Sequence, residues 1–313
     1  LTLSPSARLA GTFATALQAA QDAASTQDYP AATLYVVATP IGNLADITLR
    51  ALYVLQRVDL IACEDTRHTH ALLRSYGIDK SGAQLLALHQ HNEAQVSMEV
   101  LTRLQQGTRV AYVSDAGTPA VSDPGARLVA AAAQAGVRVV PLPGASSVTT
   151  LLSVAGLAAH SAMAQGFVFA GFLPSKPSER AASIQTLASQ ERAVVILEAP
   201  HRIEALAQAL APLGARMLTV GRELTKQFEE IVTLATGDFA PWLASSSHRT
   251  RGEFALVLHP AGQAAPPVVR PRVLQLLMAE LPLKTAVRLA AEITGQPRNA
   301  LYQQALTLQA EQP

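Results

Sequence analysis

Four short strings in this chain set acidic and basic side chains next to one another: Cys63-Glu64-Asp65-Thr66-Arg67-His68, Glu198-Ala199-Pro200-His201-Arg202, Gly221-Arg222-Glu223-Leu224-Thr225-Lys226 and Arg251-Gly252-Glu253-Phe254. Carboxylates so placed could accept a proton or hold a cation, and the bases could face phosphate or a developing alkoxide. Helix caps and surface ion pairs would explain any one string alone. Three Gly/Pro loops accompany them: Thr39-Pro40-Ile41-Gly42-Asn43, Ser114-Asp115-Ala116-Gly117-Thr118-Pro119 and Pro141-Leu142-Pro143-Gly144-Ala145-Ser146-Ser147. Glycine lets backbone amides approach a ligand closely, and proline holds a loop's shape before anything binds. Each loop follows an apolar run that reads as a buried strand. In an open parallel sheet, ligands bind at such carboxyl ends. The combination points to one composite pocket built largely from main chain.

Several familiar chemistries are missing from the pattern. No G-x-G-x-x-G follows a strand and no G-x-x-x-x-G-K-[ST] occurs, which removes support for ordinary dinucleotide and P-loop sites. No G-x-S-x-G elbow is present. His68-x-His70 and His89-x-His91 lack a third ligand at metal spacing, so they read as loop or substrate-contact residues and no metal is expected.

The elements that must position these residues follow from apolar periodicity. Strands are expected at 33–38, 58–63, 84–88, 109–113 and 137–141, with helical patterns at Asp46–Gln56, Thr66–Ser75, Glu93–Gln106 and Gly125–Ala135 between them. Such alternation predicts a parallel sheet covered by helices. Beyond a helix at Ser146–Ala155 the rhythm changes. Strands are expected at Phe167–Phe172, Ala193–Glu198, Met217–Arg222, Glu230–Ala235 and Glu253–His259, with helices at 178–190, 201–211 and 238–244. The third and fourth of these strands leave no room for a helix between them, so they should pair antiparallel. The fold class is therefore α/β: a parallel-sheet first domain over 33–145 and a mixed-sheet second domain over 146–261, with a cleft between them as the default site. A linker at 262–271, rich in Ala and Pro, leads to a small C-terminal helical domain over 272–313. Its helices at 283–294 and 297–309, separated by Gly295 with Pro297 at a helix start, resemble a helix-turn-helix. A plain helical appendage or a dimer contact reads equally well there.

Composition bounds the rest. Of the 313 residues 49% are hydrophobic, enough for a large core and against global disorder. The net charge of +1 is too balanced for a protein that grips naked nucleic acid by charge alone. Cys63 is the single cysteine, which excludes an internal disulfide framework and fits a reducing cytoplasm. No apolar run reaches the roughly 18 residues of a membrane span. Residues 1–32, dominated by Ala, Ser, Thr and Gln, read as a poorly ordered extension with one frayed helix across Leu9–Ala20.

Taken in order, LYVVATPIGNLADITLRA from Leu34, then CEDTRHT, VSDAGTPAVSDPG, PLPGASS, GFLPSKPSER, EAPHR, GRELTK and RGEF resemble the family of ribosomal RNA small subunit methyltransferases I, within the tetrapyrrole methylase superfamily. The likeness runs from about residue 33 to 259, and the helical tail also fits. It departs at Cys63, where a small alanine is expected, and at Leu197, where an aromatic is common. The resemblance implies the two-domain tetrapyrrole-methylase fold, S-adenosylmethionine bound in the cleft, and a homodimer. It implies 2′-O-methylation of a cytidine ribose in the decoding region of 16S rRNA within the small ribosomal subunit. Carried over by position, Pro40, Gly42 and Asn43 would form one wall of the cofactor site. Asp115, Gly117 and Thr118 would cup its methionine part, and Ser146 and Ser147 would add a further loop. Glu198, Pro200, Gly221 and Glu223 would enclose the adenosine side.

Proton acceptance at the ribose hydroxyl falls to Asp46, which matches an acidic residue of tetrapyrrole relatives, or to Glu64 or Asp65. Asp46 reads equally as the N-cap of its helix, and Glu64 and Asp65 as orienting Arg67. Lys226 could stabilise a developing alkoxide. RNA contact should come from local clusters: Arg67, His68 and Arg74; Lys176 and Arg180 in the loop after Phe172; His201 and Arg202; and Lys284 and Arg288 in the tail. Two rival readings stand beside this one. One is a methyltransferase of the same superfamily acting on a small tetrapyrrole, and the other a non-catalytic rRNA-binding assembly factor.

Overall fold

The computed structural model describes residues 5–157, 166–261, 271–294 and 298–310. The first domain carries β1 (Thr33–Val37), α2 (Leu49–Arg57), β2 (Leu60–Cys63), α3 (Thr66–Ser75), β3 (Leu85–Ala87), α4 (Glu93–Gln105), β4 (Val110–Val113), α5 (Ala126–Gln134) and β5 (Arg138–Leu142). Its sheet has the order β3-β2-β4-β1-β5, and every pairing is parallel. The side-chain period of two distributes the strands between two cores. Tyr35, Val37, Ile61, Cys63, Ala111 and Val113 pack on one face with Leu52 and Leu55 of α2 and Leu73 of α3. Leu34, Leu60, Ala62, Val110 and Tyr112 pack on the other with Val100 of α4 and Leu128 of α5. Both faces are thus covered, as a parallel sheet requires.

The second domain contains α6 (Ser147–Val154), β6 (Phe167–Phe172), α7 (Pro177–Ala188), β7 (Ala193–Glu198), α8 (Ile203–Leu210), β8 (Met217–Arg222), β9 (Glu230–Ala235), α9 (Phe239–Ala244) and β10 (Phe254–Leu258). The sheet order is β6-β7-β10-β8-β9. Only β6 and β7 run parallel; β8 pairs antiparallel with β9, as the short connection demands, and β10 lies antiparallel between β7 and β8. One face, with Ile196, Val220 and Leu256, packs under α7, α8 and α9. The other, with Val195, Ala255 and Val257, packs on Leu151 of α6 and Ile41 of the first domain.

Two expectations need correction. Residues 5–24 form a helix, α1 (Pro5–Ala24), rather than a frayed segment in a poorly ordered extension. Phe13, Leu17, Ala20 and Ala24 fall on one stripe and join the core shared with α2 and α3. Phe13 meets Tyr76 edge to face at 4.9 Å. The helix is held by burial, which local propensity alone does not reveal. The N-cap of α2 is Thr48, whose side chain accepts from the Ala51 N–H, while Asp46 sits exposed in a short 3₁₀ turn capped by Asn43.

The tail forms α10 (Pro271–Glu280), α11 (Leu283–Thr294) and α12 (Arg298–Ala310), closed around Leu274, Val287, Ala290, Leu301 and Ala305. Of the linker expected at 262–271, residues 262–270 lie outside the described residues and Pro271 opens α10; the readings for Gly295 and Pro297 also lie outside them.

Candidate active site

The loops leaving β1, β4 and β5 are bonded into one wall. Thr39 and Gly117 exchange both backbone hydrogen bonds at 3.0 Å, the Thr39 hydroxyl donates to Ser114 O, and the Thr118 hydroxyl donates to Ala145 O at 3.1 Å. The turn after β2 joins them, because the Asp65 N–H donates to Asp115 Oδ1 at 3.2 Å. This wall borders a cavity of about 410 Å³ whose opposite side comes from the second domain. Glu64, Asp115, Gly117, Thr118, Ser146 and Ser147 line it from the first wall and the start of α6; Glu198 and Pro200 line it from the second.

The other expected site residues sit elsewhere. Pro40 is buried within the first loop and does not line the cavity, and Asn43 caps the turn that follows. Gly221 lies inside β8, where a Cβ would press on Leu151 and Leu224. Gly42 is where the domains touch, because any side chain there would collide with the stem of Lys226. The Lys226 ammonium donates to Glu223 Oε1 at 2.8 Å and to Glu253 Oε2 at 3.0 Å. Burial pushes the Lys226 ammonium down, but the two carboxylate bonds outweigh it and raise its pKa. The same contact, against burial, holds Glu223 below the usual carboxylate range. Glu223 and Thr225 both have left-handed backbone, at φ +52° and +67°, strain that persists only where surrounding bonds over-determine it. Lys226 is therefore a strap between carboxylates, with its charge already committed.

The proposed proton acceptors separate in the same way. Asp46 does not border the cavity. Asp65 is tied to Arg67, Nη2 to Oδ2 at 2.8 Å, and that bond lowers its pKa to about 2. Glu64 does border the cavity, and burial, with Asp115 and Asp123 nearby, raises its pKa. Asp123, absent from the sequence-based candidates, stands on the same wall. Burial raises its pKa against a hydrogen bond from Ser114, and the charge of Asp115 adds to the rise. The repeated Ser-Asp step, Ser114-Asp115 then Ser122-Asp123, was the available signal. Among the described residues no Lys or Arg pairs with Glu64, Asp115 or Asp123. Cys63, just beneath, is buried, which pushes its thiol up to about 11 and leaves it unreactive at neutral pH.

Of the basic residues, Arg67, His68, Arg74, Lys176, His201, Lys284 and Arg288 are exposed. Arg180 and Arg202 instead spend their hydrogen bonds on the protein itself. Arg180 is 6% exposed and donates to Pro174 O and Ser175 O. Arg202 lies 3.0 Å from the fully buried Glu198 carboxylate and donates to Ser175 Oγ and Leu173 O. Both hold the 173–175 loop in shape. Phe169, Phe172, Leu197 and Leu224 complete the second wall.

A cleft between a parallel-sheet domain and a mixed-sheet domain, walled by strand-end loops, defines the class. Residues 33–240 match the family of Tetrapyrrole (Corrin/Porphyrin) Methylases, and residues 271–309 match the RsmI C-terminal HTH domain. Solved structures share the fold: a cobalt precorrin-4 methyltransferase (TM-score 0.53, 18% identity, 72% of this chain and 94% of that one) and a diphthine synthase (TM-score 0.52, 15% identity, 72% and 90%). Sequence relatives are nearer. A Ribosomal RNA small subunit methyltransferase I of Escherichia coli O157:H7 is 47% identical over 280 residues, 88% of this chain and 95% of that protein. One of Pseudomonas aeruginosa is 46% identical over 287 residues, 90% and 99%. Within the tetrapyrrole methylases, this chain belongs to the ribosomal RNA small subunit methyltransferase I family.

Proposed function

We propose that the protein transfers a methyl group from S-adenosylmethionine to the 2′-hydroxyl of a cytidine ribose in 16S rRNA, acting as a cytoplasmic homodimer on the assembled small ribosomal subunit. The observation that carries this reading is a conjunction. The methylase cleft and a C-terminal helical unit exposing Lys284 and Arg288 occur in one chain whose relatives are small-subunit rRNA methyltransferases. A tetrapyrrole enzyme has no use for such a tail, and a non-catalytic assembly factor has none for the cleft.

The residues fit the cofactor. The cavity lies in the size range of small-molecule sites. Uncompensated carboxyls on one wall suit a ligand carrying sulfonium and ammonium charges, and Leu197, Leu224 and Phe254 opposite offer an apolar bed for an adenine. When bound, S-adenosylmethionine supplies a methyl already activated by its sulfonium. The interlocked loops around Gly117, Thr118 and Ser146 hold it in place, and alignment of this kind is worth up to about 7–11 kcal/mol. Glu64 and Asp123 act at the ribose hydroxyl: the ionised carboxylate would accept its proton as the oxygen bonds to the methyl carbon and the carbon–sulfur bond breaks, with the neutral thioether S-adenosylhomocysteine leaving. General-base help of this sort adds about 10²–10⁴-fold. The exposed Arg67, His68, Arg74, Lys176 and His201 supply contacts for RNA phosphates, and Lys284 and Arg288 add to them from the tail.

The test is a transfer assay with tritiated S-adenosylmethionine, offering small ribosomal subunits in one arm and a porphyrinogen in the other. Label in 16S rRNA as 2′-O-methylcytidine is expected. Label in the porphyrinogen, or no cofactor binding by calorimetry, overturns the reading.

A further inference from the structure

β6 is not a regular strand. Phe169 pairs with Val195 but Gly171 pairs with Ile196, so Ala170 is an extra residue and the register slips by one. Without the slip, Phe172 would share the face of Val168 and Ala170, which pack into the core under α7 and α8. With it, Phe172 pairs with Leu197 and both line the cleft, as does Phe169 three residues earlier. A bulge of this kind re-aims a side chain, and such bulges gather next to active sites. Gly171 takes a left-handed φ of +62°, a conformation that a side chain would resist.

The re-aimed ring is not buried by the protein. Phe172 remains 51% exposed at the rim, although it borders the cavity, and across from it stands Val121 of the first domain, 53% exposed. An open aromatic face beside a small apolar one, at the mouth of a cleft, is the chemistry that takes the flat face of a nucleobase. The neighbouring loop is rigid where it matters, because Arg180 and Arg202 clamp the carbonyls of residues 173–175 just beyond the ring. A ribose hydroxyl can reach Glu64 or Asp123 only if its nucleotide leaves the helical stack, and a flipped base needs a surface to stack on.

Resting on the function proposed above, we infer that Phe172 is the stacking platform for the flipped target base, aimed into the cleft mouth by the bulge at Ala170–Gly171. It is a substrate-contact residue of the second domain, and cofactor binding does not use it.

The experiment is steady-state and single-turnover methylation of small subunits taken from cells lacking this protein, with cofactor affinity measured separately by calorimetry. Phe172→Ala should raise the subunit concentration for half-maximal rate by about 5- to 150-fold, the size of one lost base–aromatic stack. Cofactor affinity should not change. Phe172→Trp and Phe172→Tyr should restore the substrate dependence, while Phe172→Leu should not. Gly171→Ala, which keeps the ring but strains the bulge that aims it, should reproduce part of the Phe172→Ala defect. A Phe172→Ala variant whose cofactor affinity falls by the same factor, or a Phe172→Leu variant as good as Phe172→Trp, overturns the assignment. A wild-type chain that labels no rRNA instead overturns the functional reading itself.

Discussion

The two walls of the cleft handle charge in opposite ways. On the first-domain wall Glu64, Asp115 and Asp123 face the cavity with no cation paired to them among the described residues, and the loops that carry them are fixed by backbone bonds. On the second-domain wall the carboxylates carry cation partners: Glu198 pairs with Arg202, and Glu223 and Glu253 share Lys226. Beside these paired carboxylates, what that wall offers the cavity is mainly apolar, through Phe169, Phe172, Leu197 and Leu224. The difference suggests a division of labour in which first-wall charges are chemical and second-wall charges are architectural. Mutation can break that division at either side.

The largest effect should come from the first wall. Asp123→Asn combined with Glu64→Gln is expected to slow single-turnover methyl transfer by about 10²–10⁴-fold with the fold intact, as loss of a general base does. Both carboxyls titrate above the usual carboxylate range because burial disfavours their charge. The acceptor must be ionised, so the wild-type rate should fall as pH drops through that raised range, and the double variant should lose this limb. A rate–pH profile checks both, and an unchanged acid limb in the double variant would sink the assignment.

On the second wall, Arg202→Met should act on stability. It strips the partner from a fully buried carboxylate, and breaking a buried pair costs about 3–5 kcal/mol. Thermal unfolding should show the loss, and the surviving folded fraction should keep its single-turnover rate at saturating subunit, since Arg202 touches neither cofactor nor the reacting oxygen. If instead Arg202→Met folds as well as wild type and loses rRNA affinity, this half-buried arginine belongs with the RNA contacts after all.

Much of this was legible from the sequence, and the limits have physical causes. Apolar runs closed by turn residues located the strands within a residue or two, because a buried strand must be apolar whatever lies beside it. The strand-end placement of Glu64, Asp115 and Glu198 followed from the same boundaries. Besides Asp123, three things did not follow. The stripe of Phe13, Leu17, Ala20 and Ala24 was present, but small residues carry too little apolar signal without knowledge of the surface that receives them. Arg180 and Arg202 read as RNA contacts because a charge pattern does not show which carbonyls will take its hydrogen bonds. The aim of Phe172 depends on a bulge that strict strand alternation does not register, and Gly171 beside it was the only hint in the sequence.

A smaller effect tests the seam between the walls. Lys226 lies over Gly42 and ties Glu223 to Glu253, so it spans the line where the domains meet. If its charge is architectural, Lys226→Met should weaken cofactor binding by about fivefold, near 1 kcal/mol, by loosening the strained turn at Glu223 and Thr225. The single-turnover rate at saturating cofactor should stay within about threefold of wild type, since no alkoxide stabiliser has been removed. Were Lys226 a catalytic cation, the pattern would invert: cofactor affinity would hold while the saturated rate dropped by about 10²-fold or more. Measured together, binding and saturated rate therefore decide whether the second wall contributes any charge to the reaction.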